Sequence, residues 1–231
     1  MRDDQIAELL APFLEAPLSQ KQLDAVSTHL DLLLRWNQHI NLTAVRQAED
    51  IITRHFGESF FLARQLFSPE WRGNVVDLGS GAGFPGMPLA IYAGNTRVTL
   101  IESNSKKATF LRELTRALKP SGLSVYAGRA EDWLPETRRE RTDVVTLRAV
   151  EKFESAVRLA ASLLRCRTAL TDEMPSAEPA ERRLALLIGS AQVESAKALA
   201  EGLTWQAPVP TPGSQNRVVL IGNLSGQESQ K

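Results

Sequence analysis

The sequence predicts an α/β fold in which a doubly wound, mostly parallel sheet of seven strands follows an N-terminal helical region. Residues 3–67 carry apolar side chains at helical spacing, whereas short β-branched runs alternate with helix-like segments from Asn74 onward. A glycine-rich turn joins the first of these runs to the next helix. Strands that alternate with helices are typical of βαβ units and of a parallel sheet. We therefore expect a helical cap over residues 1–70 and a Rossmann-like domain over residues 71–231.

The bulk composition fits a folded chain of one such unit. Of the 231 residues, 43% are hydrophobic and 23% are charged, which is enough to bury a full core. The formal net charge is zero, which argues mildly against dense phosphate binding but leaves a local basic patch open. One cysteine excludes an internal disulfide, and with no Cys/His cluster we expect no metal site.

Neither a membrane span nor a secretory signal is expected from the sequence. No run of about 18 apolar residues is present, so no membrane span is expected. The acidic, amphipathic N-terminus does not look like a secretory signal. The simplest interpretation is a cytoplasmic enzyme, and we expect it to be a monomer.

The predicted cap is helical throughout. Pro12 interrupts its first segment, Ser19 is a candidate N-cap for the second, and Gly57 divides the third. Six apolar side chains form the stripe by which the second helix is expected to pack: Leu23, Val26, Leu30, Leu33, Leu34 and Ile40.

Seven short runs predict the strands of the sheet. In chain order they are NVVDL, RVTLIE, LSVYAG, DVVTLR, LALLIG, LTWQAP and RVVLIG. Helices are expected between them at residues 85–93, 104–118, 131–134, 151–164 and 192–201. The stretch 166–182 is rich in Pro, Glu and Ser and predicts an exposed loop.

The glycine-rich turn, VVDLGSGAGFPG (75–86), predicts a ligand site. Gly79, Gly81 and Gly83 would let a strand turn tightly into a helix while polar groups of a ligand approach the backbone. The turn fits G-x-G-x-x-G of dinucleotide sites, and also the acidic-x-G-x-G-x-G pattern of enzymes that bind S-adenosylmethionine. Glu102 ends the next strand, where both folds place a carboxylate for ribose hydroxyls, so it does not discriminate.

Asp77 is the residue that discriminates between a dinucleotide and S-adenosylmethionine as the ligand. At a dinucleotide site a carboxylate here would repel the pyrophosphate, whereas S-adenosylmethionine carries an ammonium and a sulfonium that it would attract directly or through water. Pro85 also removes a backbone N–H that a phosphate would need. The sequence therefore favours S-adenosylmethionine, with a tight turn that holds no ligand as the structural alternative.

The choice of methyl acceptor is narrowed by eliminating the classes whose chemistry needs residues that are not found at the expected positions. Methylation of cytosine C5 needs a cysteine nucleophile, and Cys166 lies far from the expected position. Methylation of an exocyclic amine calls for a [DNS]-P-P-[FYW] loop after the fourth strand, which reads TLRAVEKF here. A nitrogen with a free lone pair needs no base, which leaves guanine N7 or a small-molecule nitrogen open.

Arg148 is the main candidate for a functional cation. It ends a central strand, above the expected cofactor crevice, where it could contact the cofactor, a guanine edge or a phosphate. An ion pair with Glu151 or another neighbour is the structural alternative. Ala130 and Glu131 are expected to lie along the adenine, unless they only begin a helix.

Other charged and histidine residues support weaker hypotheses. Six basic side chains form a candidate rim for phosphates, although a solvated helix face is the commoner explanation: Lys106, Lys107, Arg112, Arg138, Arg139 and Arg141. His29, His39 and His55 lack metal-ligand spacing and are interpreted as structural.

Several segments together resemble one family. They are RWNQHINLTAVR (35–46), RHFGES (54–59), VVDLGSGAGFPGMPLAI (75–91), SNSKKATFLREL (103–114), GRAED (128–132) and LRAV (147–150). In this order and spacing they resemble the bacterial small-subunit ribosomal RNA methyltransferase G family, also called glucose-inhibited division protein B. The W-N-x-x-x-N-L-T segment together with G-x-G-x-G-F-P-G is the specific part of the likeness.

The resemblance implies a class I S-adenosylmethionine-dependent methyltransferase fold and N7-methylation of one guanosine in small-subunit (16S) ribosomal RNA. It also implies that seven positions bind or line the cofactor: Asp77, Gly79, Phe84, Glu102, Ala130, Glu131 and Arg148. With Gly81 and Gly83 of the turn, nine residues are expected at the cofactor. Small-subunit RNA or the small ribosomal subunit is the expected partner, and Arg148 is the expected functional cation at the acceptor.

The chain departs from the family pattern at four places, one of which is the stretch 166–182, longer than the Pro/Gly turn that is usual before the fifth strand. Glu58-Ser59 stands where Asp-Ser is usual, Leu147 replaces a serine, and Ile188 replaces a lysine at the end of the fifth strand. The last change and the neutral net charge keep a small-molecule methyltransferase open as an alternative. A non-catalytic protein that binds S-adenosylmethionine is the third hypothesis.

Overall fold

Helices cover both faces of an eight-stranded mixed sheet. The computed structural model describes residues 1–68, 71–133, 141–150, 152–165 and 181–224. The strands are β1 (Asn74–Leu78), β2 (Arg97–Glu102), β3 (Leu123–Ala127), β4 (Val144–Arg148), β5 (Arg182–Gly189), β6 (Thr204–Trp205), β7 (Val209–Pro210) and β8 (Arg217–Leu224).

The strand order places a topological switch at the centre of the sheet. The order is β3-β2-β1-β4-β5-β8-β6, with β7 also paired to β8. Strands β1 to β5 pair in parallel, and β8 runs antiparallel to β5, β6 and β7. The chain leaves β1 toward β2 on one side and returns to β4 on the other, which leaves a crevice at the carboxyl ends of β1 and β4. The doubly wound, mostly parallel fold is therefore confirmed.

The predicted number of seven strands is wrong by one. The run expected at LTWQAP shortens to the two residues of β6, and an unpredicted strand, β7, follows it. Pro208 and Pro210 carry no N–H and cannot donate to a ladder, so the segment is broken into two short pieces along β8.

The helices mostly follow the predicted segments. They are α1 (Asp3–Leu10), α2 (Gln20–Trp36), α3 (Ala48–Ile51), α4 (Glu58–Leu66), α5 (Gly86–Tyr92), α6 (Ser105–Leu118), α7 (Phe153–Arg165) and α8 (Val193–Leu199). Single turns of 3₁₀-helix occur at Ala11–Phe13, Ala130–Asp132 and Ser190–Gln192. The segment expected around residues 131–134 is therefore only such a turn, and residue 134 lies outside the described residues.

Two details of the helical region differ from the prediction. Residues 37–47 form a loop, because the Asn37 carboxamide accepts from the N–H groups of Leu42 and Thr43 and donates to the Thr43 carbonyl. Gly57 does not divide a helix: the π-helical turn Ile52–Gly57 joins α3 to α4. Glycine is needed at this position because a Cβ there would lie 2.7 Å from the ring of Phe13.

The N-terminal helices share a hydrophobic core with one face of the sheet. Along β5, Ala185 and Leu187 pack into the cluster that contains Leu30 and Phe60, whereas Leu186 packs with α7 on the opposite face. The boundary at residue 70 stays a prediction. None of the helices in the described part of the chain combines the length and the apolar character that crossing a bilayer requires.

Candidate functional site

A cavity of about 760 Å³ opens at the carboxyl ends of the parallel strands. Its lining comes from the segments that follow β1, β2, β4 and β5, from β8, and from residues 42–45 and 54–55 of the helical region. This is the crevice at the topological switch, where open α/β sheets bind ligands, and its volume is typical of small-molecule sites.

The turn after β1 forms one wall of the cavity and is tied to β2. Gly79, Gly81 and Gly83 have φ values of +72°, +55° and +89°, which residues with a Cβ rarely adopt. The N–H groups of Gly79 and Ser80 donate to the Ile101 carbonyl at 2.9 and 3.0 Å. The glycines therefore let the chain reverse direction against the end of β2.

Glu102 stands at the end of β2, beside this turn, as the sequence predicted. Its Oε2 accepts from the Gly81 N–H at 2.9 Å and its Oε1 accepts from the Asn104 N–H at 2.7 Å. The side chain lines the cavity although the residue is only 7% exposed. Each carboxylate oxygen has a further lone pair that can accept from a ligand hydroxyl.

Asp77 lies behind the turn, outside the cavity lining. It is fully buried; its Oδ1 accepts from the Thr146 hydroxyl at 2.8 Å and its Oδ2 from the Gly86 N–H at 3.2 Å. Burial raises the pKa of the Asp77 carboxyl to about 6. The carboxylate therefore joins β1 to β4 and to the start of α5. Its predicted attraction for the ligand, directly or through water, stays a prediction.

Phe84 contributes an aromatic surface to the same wall. Its ring stacks on His29 at a centroid distance of 4.8 Å and meets the edge of Phe56 at 4.9 Å. His29 is fully buried, and its Nε2 lies 2.8 Å from the Ala82 carbonyl oxygen of the turn. Burial lowers the pKa of His29 to about 4, so the ring is neutral at pH 7 and holds both Phe84 and the turn in place.

His55 also lines the cavity, a position that the sequence interpretation did not assign to the site. Its Nε2 lies 2.7 Å from the Thr43 hydroxyl. Burial and the charge of Arg148 lower the pKa of His55 to about 2, so this ring also stays neutral. A neutral imidazole held by its partner suits a structural role at the cavity wall.

The opposite wall is dominated by a group of charges, of which Glu58 and Arg148 are buried and Arg217 is half-buried. Arg148, at the end of β4, donates from Nη2 to Glu58 Oε2 at 3.1 Å and to the Arg54 carbonyl at 2.5 Å. Arg217, on β8, lies with Nη2 2.7 Å from Glu58 Oε1. Both arginines line the cavity, and burial lowers the pKa of Arg148 to about 10, which leaves it charged at pH 7.

Sequence reasoning found one member of this group and missed two. An ion pair of Arg148 with a neighbour was the structural alternative, and its partner is Glu58 from the helical region, while Glu151 lies outside the described residues. Arg217 was not singled out. The motif RHFGES contained Glu58, but nothing in its spacing indicated which arginines it would meet.

Four predicted cofactor positions, Asp77 among them, do not line the cavity. Ala130 and Glu131 lie on the 3₁₀ turn after β3, where Glu131 is exposed and 3.7 Å from Arg129. At Gly83 an added Cβ would point inward, 3.4 Å from the His29 ring. Gly79, Gly81, Phe84, Glu102 and Arg148 are brought together at the cavity, and all nine assignments remain predictions about a ligand.

The predicted basic rim is only partly at the cavity. Lys107 lines the cavity, whereas Lys106 and Arg112 are exposed on α6 and are not part of the lining. Arg141 pairs with Asp143 at 2.8 Å before β4 begins, which places it at the opposite edge of the sheet. Arg138, Arg139 and Cys166 lie outside the described residues.

The strand order, the switch-point cavity and the carboxylate at the end of β2 define the class I methyltransferase fold. A family model, described as rRNA small subunit methyltransferase G (GidB), matches residues 22–202. The chain belongs to this family, and the resemblance stated from the sequence is confirmed.

Relatives from several bacteria carry the same family name. The ribosomal RNA small subunit methyltransferase G of Chloroflexus aggregans is 35% identical over 212 residues, which cover 89% of this chain and 83% of that protein. The protein of that name from Streptococcus thermophilus is 39% identical over 138 residues, but the match spans only 59% of this chain and 58% of that relative.

A solved structure supports the fold. The chain superposes on Pyrococcus horikoshii TYW2, solved in complex with MeSAdo, with a TM-score of 0.51, 18% identity, and coverage of 74% of this chain and 63% of that one. At this identity the likeness concerns the fold alone.

Proposed function

We propose that the protein transfers a methyl group from S-adenosylmethionine to N7 of a guanosine in small-subunit (16S) ribosomal RNA. The family supports the RNA substrate and the methyl transfer. The structural observation that carries the proposal is one continuous cavity with Glu102 on the wall beside β2 and Arg148 and Arg217 on the wall beside β5. Such a cavity can hold a cationic methyl donor against an electron-rich base.

The wall beside β2 fits S-adenosylmethionine. A Cβ on Gly81 would meet only the Gly79 carbonyl, at 3.8 Å, so the turn leaves open space next to Glu102. Glu102 has lone pairs for ribose hydroxyls, and its negative charge complements the cationic ligand. Phe84 offers a fixed apolar surface. When bound, S-adenosylmethionine supplies an electrophilic methyl group attached to sulfur.

The wall beside β5 fits a guanine. Guanine presents O6 and N7 as neighbouring acceptors, and arginine is the side chain that most often contacts this edge. For methylation N7 must stay free, so Arg148 and Arg217 would hold O6 or the adjoining phosphate. N7 carries no proton, so no general base is required and the residues contribute by orienting the base and excluding water.

The test is methyl transfer to RNA from cells that lack the gene. Purified protein and methyl-labelled S-adenosylmethionine are incubated with small subunits or free 16S RNA, and N7-methylguanosine is mapped by chemical cleavage. Label at a single guanosine is expected. Binding of the cofactor without any label in RNA would refute the proposal and favour a small-molecule methyltransferase or a non-catalytic protein, which are distinguished by label in a small nitrogen acceptor.

Three finer points belong to the same proposal. The partner is RNA of the small subunit, the protein acts as a monomer, and it works in the cytoplasm, where ribosomes are. Comparing free 16S RNA with assembled subunits in the labelling experiment identifies the form of the substrate, and sedimentation of the purified protein measures its oligomeric state.

A further inference from the structure

Glu58 connects the helical region to two separate strands at the cavity. It begins α4 and is only 2% exposed. One carboxylate oxygen lies 3.1 Å from Nη2 of Arg148 on β4, and the other lies 2.7 Å from Nη2 of Arg217 on β8. Each oxygen therefore holds a different guanidinium, and the three side chains form a continuous charged group, the Glu58 triad.

The charge of this triad is unusual for a purely structural contact. Two guanidinium groups and one carboxylate sum to one net positive charge within the triad, next to the cavity. Taking ions out of water costs free energy that their attraction often fails to recover, so well-packed apolar side chains serve stability at least as well. The arrangement therefore points to a task at the cavity.

The two arginines of the triad line the side of the cavity next to β5. Arg148 ends β4, and Arg217 pairs in register with Gly189, the last residue of β5. The turn after β1 and Glu102 lie across the cavity, on the other side of the switch point. A group held by the triad is therefore separated from the ligand held by Glu102.

We propose that Glu58 is a positioning residue that acts through Arg148 and Arg217 to orient the acceptor guanine. The inference rests on the proposed function, because it assigns the acceptor side of the same cavity. Arginine has a long side chain with several rotamers, and two neighbouring guanidinium groups repel each other. Glu58 fixes both in one arrangement, so that they meet the base without rearranging first.

The test uses Glu58→Gln, which keeps the shape of the side chain and removes its charge. Single-turnover methyl transfer at saturating RNA and cofactor should fall about 100-fold, as small displacements of bound groups can cause. The dissociation constant for S-adenosylhomocysteine should stay within about twofold of wild type, because Glu102 and the turn are untouched. Glu58→Asp should recover at least about tenfold of the lost rate, because it restores the carboxylate.

Asp143→Asn is the matched control for a merely structural effect. Asp143 is a largely buried carboxylate paired with Arg141 at 2.8 Å, at the opposite edge of the sheet. This variant should lower the melting temperature but keep the wild-type transfer rate. A loss of rate in Glu58→Gln no larger than in Asp143→Asn at equal loss of stability would overturn the inference.

A double-mutant cycle with Arg217→Gln tests whether Glu58 acts through the arginine. If it does, the double variant Glu58→Gln/Arg217→Gln transfers the methyl group at most about threefold more slowly than the slower single variant. Multiplication of the two single effects would overturn the inference. Absence of transfer to RNA by the wild-type protein would instead refute the proposed function itself, and the inference with it.

Discussion

The two walls of the cavity are built in different ways. The wall next to β2 consists of a turn and a carboxylate that lie within residues 79–104, held by backbone N–H groups. The wall next to β5 consists of long side chains from the helical region, β4 and β8, held by ion pairs between distant segments. The first wall is therefore a local feature of the chain, and the second exists only when the whole fold is assembled.

The largest expected effect concerns Asp77, the buried carboxylate behind the turn of the wall next to β2. The pKa of Asp77 is raised to about 6 by burial, whereas it is near 4 in the unfolded chain. Between these values the unfolded chain has released the proton that the native protein still holds, so the free energy of unfolding falls as pH rises. The loss reaches about 3 kcal/mol above pH 6.

Asp77→Asn tests this directly. The asparagine cannot ionise, so the free energy of unfolding of the variant minus that of wild type should increase by about 3 kcal/mol between about pH 3 and pH 7. Denaturant titrations of both proteins at several pH values measure the difference, from which the contributions of His29 and His55 cancel. Parallel profiles for the two proteins would contradict the buried carboxylate assigned to Asp77.

How far the site could be predicted follows from the same contrast. A strand, a glycine turn and a carboxylate at the next strand end are close in sequence, so spacing alone placed Gly81 and Glu102 correctly. Spacing could not show that Asp77 turns away from the cavity toward Thr146, since that depends on which strand neighbours β1. It also could not pair Arg148 with Glu58, which lies on a separate helix.

The fold shows a similar division. The alternation of strands and helices in the sequence was enough to predict the doubly wound sheet and the helices α5 to α8. The loop at residues 37–47 depends on hydrogen bonds of one side chain, Asn37, and helical periodicity does not report them. Likewise, Pro208 and Pro210 interrupt strand pairing only because β8 is the strand that lies beside them, and the sequence pattern does not show which strand that is.

The second prediction separates the two walls by their ligands. In Glu102→Ala the N–H groups of Gly81 and Asn104 lose their acceptor, and the ribose loses its own. Affinity for S-adenosylhomocysteine should fall about 100-fold, measured by calorimetry, which is the opposite of the pattern expected for Glu58→Gln.

Glu113→Ala is the control for that experiment. The Glu113 carboxylate accepts from the Trp36 indole at 3.2 Å, away from the cavity lining. It should leave the affinity for S-adenosylhomocysteine unchanged. If Glu102→Ala also left the affinity for S-adenosylhomocysteine unchanged, the wall next to β2 would not hold the ribose.

The third prediction concerns close packing under the same wall. A Cβ on Gly86 would lie 2.8 Å from Asp77 Cβ and would overlap the side chain of Leu100. Gly86→Ala should therefore destabilise the protein by about 2 kcal/mol, even though alanine is normally favoured in a helix. At Gly94 nothing lies within 4 Å of the added Cβ, so Gly94→Ala should be close to neutral in the same thermal melts. Equal melting temperatures for the two variants would contradict the tight contact.

The smallest expected effect distinguishes the walls by their approach to RNA. Arg54 is exposed, lines the cavity beside the Glu58 triad, and has its backbone fixed by the hydrogen bond from Arg148 to its carbonyl. If RNA enters over this wall, Arg54 neutralises one phosphate. Arg54→Ala should then reduce the slope of log affinity against log salt by about 0.7 to 0.9, the value for one released counterion.

Lys197→Ala is the matched control for this removal of one charge. Lys197 lies on α8, away from the cavity lining, and pairs with Glu194 at 2.9 Å. Its removal should leave the salt slope unchanged when binding to 16S RNA is measured by filter retention between 50 and 200 mM salt, roughly the range over which counterion release is resolved. A reduced slope in Lys197→Ala with an unchanged slope in Arg54→Ala would place RNA on the α8 side. The Glu58 triad would then not contact RNA, and the assignment of the wall next to β5 to the methyl acceptor would be wrong.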